Sequence, residues 1–199
     1  MADFEEVGRN LRERGYTVHT FSTAAEAAAY LNGAIDGVTV GFGGSATLRD
    51  MGIFELLETH NTVHWHWKQE ANEARRAAMD TEVYLTSVNA LAQTGEMVNI
   101  DGAGNRVAST LFGHKRIYFV VGRNKLADTY EKAVWRARNV AAPQRAMQMN
   151  AKTPCAATAD RCYDCKSPGR ICRGMTTLWG PMMGEESAEV LLIDEDMGL

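Results

Sequence analysis

The chain has 199 residues, 45% of them hydrophobic and 23% charged, which is ordinary for a globular protein. Its formal net charge of −4 offers no basic surface to nucleic acid, and no apolar run approaches the ~18 residues of a membrane span. The first ten residues, MADFEEVGRN, are acidic from the start and lack the basic-then-apolar order of a secretory signal. We therefore expect a soluble, cytoplasmic protein with one domain over residues 1–199.

Helical and strand patterns alternate along the chain, which predicts an α/β fold. Thr23 and Glu26 have the spacing of a capping box that starts the second helix. The predicted elements, in chain order, are a helix over 4–14, a strand over 16–21, a helix that Asn32-Gly33 ends, a strand over 38–42, a helix over 48–57, a strand over 62–67, a helix over 69–79, a strand over 82–88, hairpin strands over 97–100 and 107–111, a buried parallel strand over 116–121, helices over 126–139 and 143–149, and a last strand over 189–194 that returns to the sheet.

A glycine-rich loop joins the predicted strand over 38–42 to the helix that follows. Gly43 and Gly44 let a ligand approach the backbone, and the amides of the helix start would suit a phosphate or a carboxylate. Ser45 and Thr47 add hydroxyl groups. The loop lacks the lysine of a Walker A sequence and the third glycine of a dinucleotide fingerprint. A tight turn in which Ser45 or Thr47 caps the helix explains the same residues equally well.

Polar side chains are dense near the ends of the central predicted strands, where α/β proteins build ligand sites. Asp101 to Asn105 is expected to form the turn of a hairpin. Glu96 or Asp101 could move a proton next to a carbonyl group, and Asn89 is a further catalytic candidate. The ligand-binding candidates in this region are Thr94, Asn99, Asn105, Arg106, Asn124 and Lys125.

Four cysteines stand in the pattern C-x6-C-x2-C-x6-C within residues 155–172, and they are the only cysteines of the chain. Because two residues separate Cys162 from Cys165, one turn can present both sulfurs to a metal, with Cys155 and Cys172 closing the shell. The spacing favours an iron–sulfur cluster, a [4Fe–4S] cluster above all, over zinc. Two disulfides or inert thiols are the remaining alternatives, and a reducing cytosol disfavours the disulfides.

Four stretches together resemble the LUD-domain (lactate utilization protein) family, in its branch with a C-terminal cysteine segment: GFGGSATLRDMG, LTSVNALAQTGEMVNIDGAGNRVAS, VVGRNKLAD and DCKSPGRIC. The resemblance implies a Rossmann-like sheet similar to ribose-5-phosphate isomerases and CoA transferases, with a small antiparallel excursion. It places the ligand at Gly43, Gly44, Ser45 and Thr47 and makes residues 152–175 a metal-binding segment inserted before the last strand. Some members of the family accompany iron–sulfur subunits in the oxidation of L-lactate to pyruvate.

Three functions are consistent with these features. The first is an iron–sulfur redox enzyme or subunit that acts on a small carboxylate or phosphorylated metabolite. The second is a non-redox isomerase, transferase or lyase with a structural zinc or cluster, and the third is a non-catalytic accessory subunit. The expected partners are a small anionic metabolite, iron–sulfur or redox subunits and a second copy of the chain.

Overall fold

A computed structural model describes residues 3–199 of the chain, which form helices around two β-sheets. The helices are α1 Phe4–Glu13, α2 Ala24–Ala34, α3 Ala46–Asp50, α4 Ile53–Leu57, α5 Ala71–Ala77, α6 Asn105–Ser109, α7 Tyr130–Arg136, α8 Ala142–Gln148 and α9 Pro154–Thr158. The strands are β1 Thr17–Phe21, β2 Thr39–Phe42, β3 Thr62–His64, β4 Val83–Thr86, β5 Ala90–Ala92, β6 Met97–Asp101, β7 Arg116–Gly122, β8 Leu126–Ala127, β9 Gly174–Leu178 and β10 Ser187–Ile193.

The larger sheet has six strands in the order β1-β10-β7-β4-β2-β3, and every neighbouring pair is parallel. The last strand, β10, therefore lies inside the sheet between β1 and β7. Parallel strands need crossovers, and the helices that supply them cover both faces, so the central strands are apolar almost throughout. This arrangement confirms the predicted Rossmann-like α/β class.

Side chains of the central strands alternate between two apolar clusters, one on each face of the larger sheet. Tyr118 and Val120 of β7 join the cluster beneath α2, α3 and α4, whereas Phe119 and Val121 join the cluster beneath α1. The first cluster is built around Trp65, which is fully buried and stacks on Phe42 with ring centroids 5.0 Å apart. The sheet is thus a rigid base for the loops that leave its strand ends.

The smaller sheet has four strands in the order β8-β5-β6-β9. It is mixed, since β5 and β6, and β6 and β9, pair antiparallel while β5 and β8 pair parallel. A small alanine-rich cluster packs this sheet against α7. Strand β9 directly follows the cysteine segment and ties it to the body of the fold through β6.

Several helices and strands end at residues other than those predicted, and each difference has a physical reason. Helix α2 continues through Asn32-Gly33 to Ala34, since burial of Leu31 and Ile35 outweighs the ~1 kcal/mol cost of a helical glycine. The helix predicted over 48–57 is divided by Gly52, whose φ of 63° is left-handed. The strand predicted over 62–67 ends at His64, because the chain turns at Trp65, whose carbonyl accepts from two later amides.

The hairpin predicted over residues 97–111 is wrong in its second arm. Residues 105–109 form helix α6 instead of a strand, because the Asp101 carboxylate accepts amides of the loop and of the first turn. The helix predicted over 126–139 begins only after β8, at the Thr129 cap. A π-helical stretch, Ala137–Ala141, then joins α7 directly to α8, so Pro143 does not open a separate helix.

The described residues, 3–199, include no helix of the length and apolarity needed to cross a lipid bilayer.

Candidate functional site

A cavity of about 410 Å³ lies where the strands of the larger sheet end. Gly44 and Ser45 follow β2, Asn89 follows β4 and Lys125 follows β7, and all four line this cavity. The carboxyl ends of parallel strands meet at one edge of a sheet, which is where open α/β folds bind ligands. The fold therefore assembles one site from loops that are distant in sequence.

The cavity wall is strongly cationic. Its lining includes one carboxylate side chain, Asp101, and six cationic ones, Arg75, Arg106, Lys125, Arg145, Arg170 and Arg173. The Arg145 guanidinium lies 4.6 Å from the centre of the Trp67 ring, which holds it in place by a cation–π contact. Asp101 lies 4.0 Å from Arg106, and Arg170 pairs with the exposed Asp164 at 3.5 Å, so the cations of the lining still outnumber their carboxylate partners. Such an excess of positive charge favours an anionic ligand.

Arg106 is the structural centre of this wall, although it is buried. Its guanidinium donates to four oxygens, those of Asn99 Oδ1, Asn89 Oδ1 at 3.1 Å, Ser87 O at 3.2 Å and Ile100 O at 2.7 Å. Burial lowers the pKa of Arg106, but a guanidinium keeps its charge at neutral pH. Arg106 thus ties the end of β4, β6 and α6 together, and the Asp101 carboxylate lies 4.0 Å from its Nε.

Asp101 holds the loop that leads into α6. Its Oδ1 accepts the amide of Gly102 at 2.6 Å and that of Gly104 at 3.2 Å, and its Oδ2 accepts the amide of Val107 at 3.3 Å. These hydrogen bonds hold the Asp101 carboxylate against the backbone of the loop and of the first turn of α6. The structure gives Asp101 a scaffolding role at the cavity wall.

Lys125 carries the most unusual ionisable group of the site. Its side chain is 3% exposed, and its Nζ donates to Thr47 Oγ1 and Ser87 Oγ, each at 2.7 Å. Burial, reinforced by the charges of Arg136 and Arg106, lowers the pKa of Lys125 to about 7. The amine is therefore neutral in a large fraction of molecules at physiological pH.

The glycine loop contributes shape and capping more than charge. Ser45 caps α3 by accepting the amide of Leu48 at 3.2 Å, so the cap interpretation of this residue is confirmed. Gly44 lines the cavity, and a Cβ there would lie 3.3 Å from the rings of His66 and Trp67. Because α3 has only five residues, the attraction for anions comes mainly from the side-chain cations.

The residues predicted from sequence divide into three groups. Those that line the cavity are Gly44, Ser45, Asn89, Asp101, Asn105, Arg106 and Lys125. Those that stand behind it and contact a lining residue are Gly43, Thr47 and Asn99. Those that are not part of its lining are Thr94, Glu96 and Asn124.

Glu96 serves another part of the fold. It forms an ion pair with Arg14, whose Nε also donates to Thr94 O at 2.6 Å, so the β5–β6 turn is fastened to the end of α1. Asn124 accepts the amide of Met197 at 3.0 Å and thereby positions the C-terminal residues. The geometry therefore places none of these three side chains where it could touch a ligand in the cavity.

The lining also includes His66, and it includes residues that were not foreseen as ligand contacts, among them Trp67, Arg75 and Arg145. Burial, and then the charge of Arg75, lowers the pKa of His66 to about 4, so this ring is neutral. The turn after β3 brings the two rings into the cavity, and the arginines belong to helices without a recognisable motif. In the sequence, the alternating histidines and tryptophans of residues 64–67 were the signal for the two rings, and no pattern marked the two arginines.

The cysteine segment borders the same cavity, a proximity that the sequence did not predict. Cys172 and its neighbour Arg173 are among the lining residues, and the Arg173 amide donates to Asp101 O at 2.9 Å. All four cysteines are free thiols of intermediate exposure. The amide of Asp164 donates to Cys162 Sγ at 3.4 Å within the short Cys-x2-Cys turn.

Over residues 3–199, no group of three or more histidine, cysteine or acidic side chains is arranged to hold a metal ion. The donor chemistry of the segment, four thiols with arginines among them, nevertheless fits a thiolate-bound centre. Such a centre would require the segment to close around it, as expected where metal binding and local folding are coupled.

Comparison with known proteins agrees with this architecture. The LUD domain family matches residues 4–193. The chain belongs to the LUD domain family. A crystal structure of a DUF162 family protein from Deinococcus radiodurans shares the fold of this LUD domain, with a TM-score of 0.55 at 12% sequence identity over 95% of this chain and 94% of that one. No curated protein matched the chain.

Proposed function

We propose that this LUD domain protein is a redox enzyme or redox subunit that binds a small carboxylate or phosphorylated metabolite in the cationic cavity, next to an iron–sulfur cluster. The observation that carries the proposal is the imbalance of charge in the cavity lining. Five arginines and the partly neutral Lys125 belong to the lining, and its one carboxylate side chain, Asp101, is already engaged by backbone amides. A small anion would neutralise this wall at little structural cost.

The cavity wall suits a compact anionic ligand. Asn89, Asn105 and Ser45 add amide and hydroxyl groups to the lining, and Ile100 and Trp67 add apolar surface. A few polar groups on a largely preformed wall are typical of small-molecule sites. The missing side chain at Gly44 keeps the wall open beside the two aromatic rings.

The redox part of the proposal rests on the cysteine segment. Cys155, Cys162, Cys165 and Cys172 would hold the cluster as thiolates, and when bound it would supply a one-electron centre beside the cavity. Zinc on the same four thiolates is the alternative. The position of Cys172 in the cavity lining supports a link between the segment and the ligand site.

A specific observation favours a second candidate, a non-redox isomerase, transferase or lyase. The cavity contains a buried amine, Lys125, that is partly neutral near pH 7. Such a group can accept a proton or attack a carbonyl without any electron transfer. In this case a zinc or cluster in the cysteine segment would be structural.

Calorimetric titration with glyoxylate and with inorganic phosphate tests the anion site. We expect Arg145→Gln to weaken binding by about tenfold, the loss typical of one charge-assisted hydrogen bond. The exposed Arg9→Gln is the matched control and should bind like the unmodified protein. Equal affinity in both variants, or no binding of either anion, would contradict the proposed site.

Absorption of anaerobically purified protein separates the two candidates. A brown protein with broad absorption near ~400 nm, bleached by dithionite, supports the redox enzyme or subunit. A colourless protein with one tightly bound zinc per chain supports the non-redox enzyme. Binding of anions without turnover of any small acid would instead indicate an accessory subunit.

A further inference from the structure

The Lys125 amine is held by two hydroxyl groups whose own hydrogens are already committed. Thr47 Oγ1 donates to Met197 O at 3.3 Å, and Ser87 Oγ donates to Val120 O at 2.5 Å. Each hydroxyl oxygen can therefore only accept from the lysine, which it does at 2.7 Å. The protein thus provides two acceptors for the amine and no donor at these positions.

This arrangement matches the neutral amine better than the ammonium ion. A neutral amine has two hydrogens, which Thr47 and Ser87 accept, and one lone pair. Lys125 lines the cavity, so the remaining direction at Nζ is toward the ligand space. An ammonium ion would instead point a third hydrogen there, without a protein acceptor among the contacts of the described residues.

We infer that Lys125 is a nucleophile that forms an imine with the carbonyl carbon of a small 2-oxo acid or aldehyde acid bound in the cavity. The inference rests on the proposed anion site, because the arginines of the lining would hold the carboxylate of such a ligand. It narrows the ligand class from any small anion to one that carries a carbonyl group beside its carboxylate.

The reaction is balanced without a further reactant. The Nζ lone pair attacks the carbonyl carbon, and the two amine hydrogens leave with the carbonyl oxygen as one water molecule. The product is a carbon–nitrogen double bond, with no change in oxidation state. A proton from solvent would convert the imine to an iminium ion, whose single N–H can still be donated to Thr47 or Ser87.

The charges around the amine support this assignment. The charged groups that act on Lys125 are Arg136 and Arg106, which disfavour the ammonium form, and Asp50, which favours it weakly. Burial is the largest influence, and together they bring the pKa of Lys125 to about 7. An ordinary exposed lysine is only ~0.1% neutral at that pH.

Reductive trapping with glyoxylate tests the inference. Glyoxylate is the smallest acid with a neighbouring carbonyl group, so a cavity that admits larger 2-oxo acids admits it as well. The purified full chain is treated with glyoxylate and cyanoborohydride at pH 7, digested and analysed by mass spectrometry. We expect labelling at Lys125 to exceed that at the exposed Lys115 and Lys132 by at least ~10-fold, because the neutral fraction differs more than that.

Acetate separates this inference from the proposed anion site, because acetate has the carboxylate but no reactive carbonyl. We expect excess acetate to slow labelling of Lys125 and not of Lys115, and Lys125→Arg to abolish it at that position. Calorimetric binding of acetate without preferential trapping of Lys125 would overturn the inference and leave the anion site intact. Equal labelling of Lys125 and Lys115, in a protein that binds no acetate, would overturn the site and the inference together.

Discussion

At the scale of single residues, the least expected feature is the buried amine of Lys125, which within residues 3–199 hydrogen-bonds to two hydroxyl groups and to no carboxylate. Burying a lysine without a counter-ion costs free energy, and the protein meets part of that cost by letting the amine lose its proton. Thr47 and Ser87 accept hydrogen bonds from the amine. An apolar side chain would be more stable at this position, which is the pattern expected where a residue serves function at a cost in stability.

The free-energy cost of burying Lys125 should appear as a pH-dependent difference in unfolding free energy between the unmodified protein and Lys125→Met. The pKa of Lys125 is about 7 in the folded chain against an ordinary value of 10.5. Between these two pH values the unfolded chain binds more protons, so the unfolding free energy of the unmodified protein rises with pH, by up to ~1.4 kcal/mol per unit. Lys125→Met should be more stable than the unmodified protein near pH 7, and its advantage should shrink toward pH 10.

Urea unfolding of both proteins at several pH values between 7 and 10 measures this difference. Lys115→Met, at an exposed lysine, is the matched control and should follow the unmodified protein at every pH. If the stability difference between Lys125→Met and the unmodified protein stayed constant over the range, the depressed pKa would be excluded.

Glu96, unlike Lys125, does not line the cavity. Its carboxylate pairs with Arg14 and supports the fold. We expect Glu96→Gln to leave glyoxylate affinity and turnover unchanged, because Glu96 pairs with Arg14 and is not part of the cavity lining. Stability should fall by up to ~1 kcal/mol, the range of a partly exposed ion pair. Arg14→Gln should have a similar effect, and the double variant should lose less than the sum. A large loss of turnover with unchanged stability would return Glu96 to the catalytic candidates.

At the scale of elements, the cysteine segment is the part that we expect to depend most on a bound metal for its order. It has few apolar residues of its own, and its attachments to the rest of the fold include β9, the Cys162 amide that donates to Asn139 Oδ1 at 3.1 Å and the Arg173 amide that donates to Asp101 O at 2.9 Å. Bound metal would supply the missing stabilisation, so metal binding and local order should be coupled.

Single cysteine-to-serine variants should lose metal to different degrees. Cys162 and Cys165 form the short chelate, so replacing either should release the metal almost completely. Cys155 and Cys172 close longer loops, and water or a neighbouring side chain can replace them in part, so their loss should be milder. Elemental analysis after anaerobic purification measures this order. A Cys162→Ser, Cys165→Ser double variant that retained stoichiometric metal would show that the four thiols do not share a centre.

At the scale of the whole molecule, topology decides which parts of the chain are indispensable. Strand β10 comes last in sequence but lies between β1 and β7, with seven residue pairs in its register with β7. The cysteine segment lies outside both sheets, between α8 and β9. The final strand therefore belongs to the folding core, and the cysteine segment does not.

Two variants, one a deletion and one a linker replacement, should show which of the two segments the fold requires. Removal of residues 187–199 should abolish cooperative unfolding, because it removes the partner of β1 and one of the two partners of β7. Replacement of residues 152–173 by a flexible linker should preserve cooperative unfolding and the far-ultraviolet circular dichroism of the sheet. Thermal unfolding of both variants measures the contrast, and a linker variant that no longer unfolded cooperatively would place the cysteine segment in the core.

Much of the fold followed from local chemistry in the sequence. The Thr23–Glu26 capping box, the apolar run of β7 and the return of the last strand to the sheet are all confirmed. Hydrophobic period and capping residues act over a few neighbours, so they can be recognised without knowing the fold. The resemblance to the LUD domain family supplied the sheet class, and that too is confirmed.

The limits of helices and strands depended on contacts between distant residues. Burial of Leu31 and Ile35 carried α2 past a glycine, and the Asp101 carboxylate turned a predicted strand into α6. At both positions the intrinsic secondary-structure propensity of a residue contributes about 1 kcal/mol. Burial of apolar side chains, or a set of hydrogen bonds, contributes more than that.

By itself the sequence determined the α/β class, the family, the glycine loop and the spacing of the four cysteines, because residue type and order fix those properties. Only the tertiary structure decided which polar residues meet. In the folded chain Glu96 pairs with Arg14 at the end of α1, Arg145 and Cys172 line the cavity, and Lys125 is buried between two hydroxyl groups. The physical reason is that a site at the ends of parallel strands joins loops far apart in the chain, and no local pattern records that meeting.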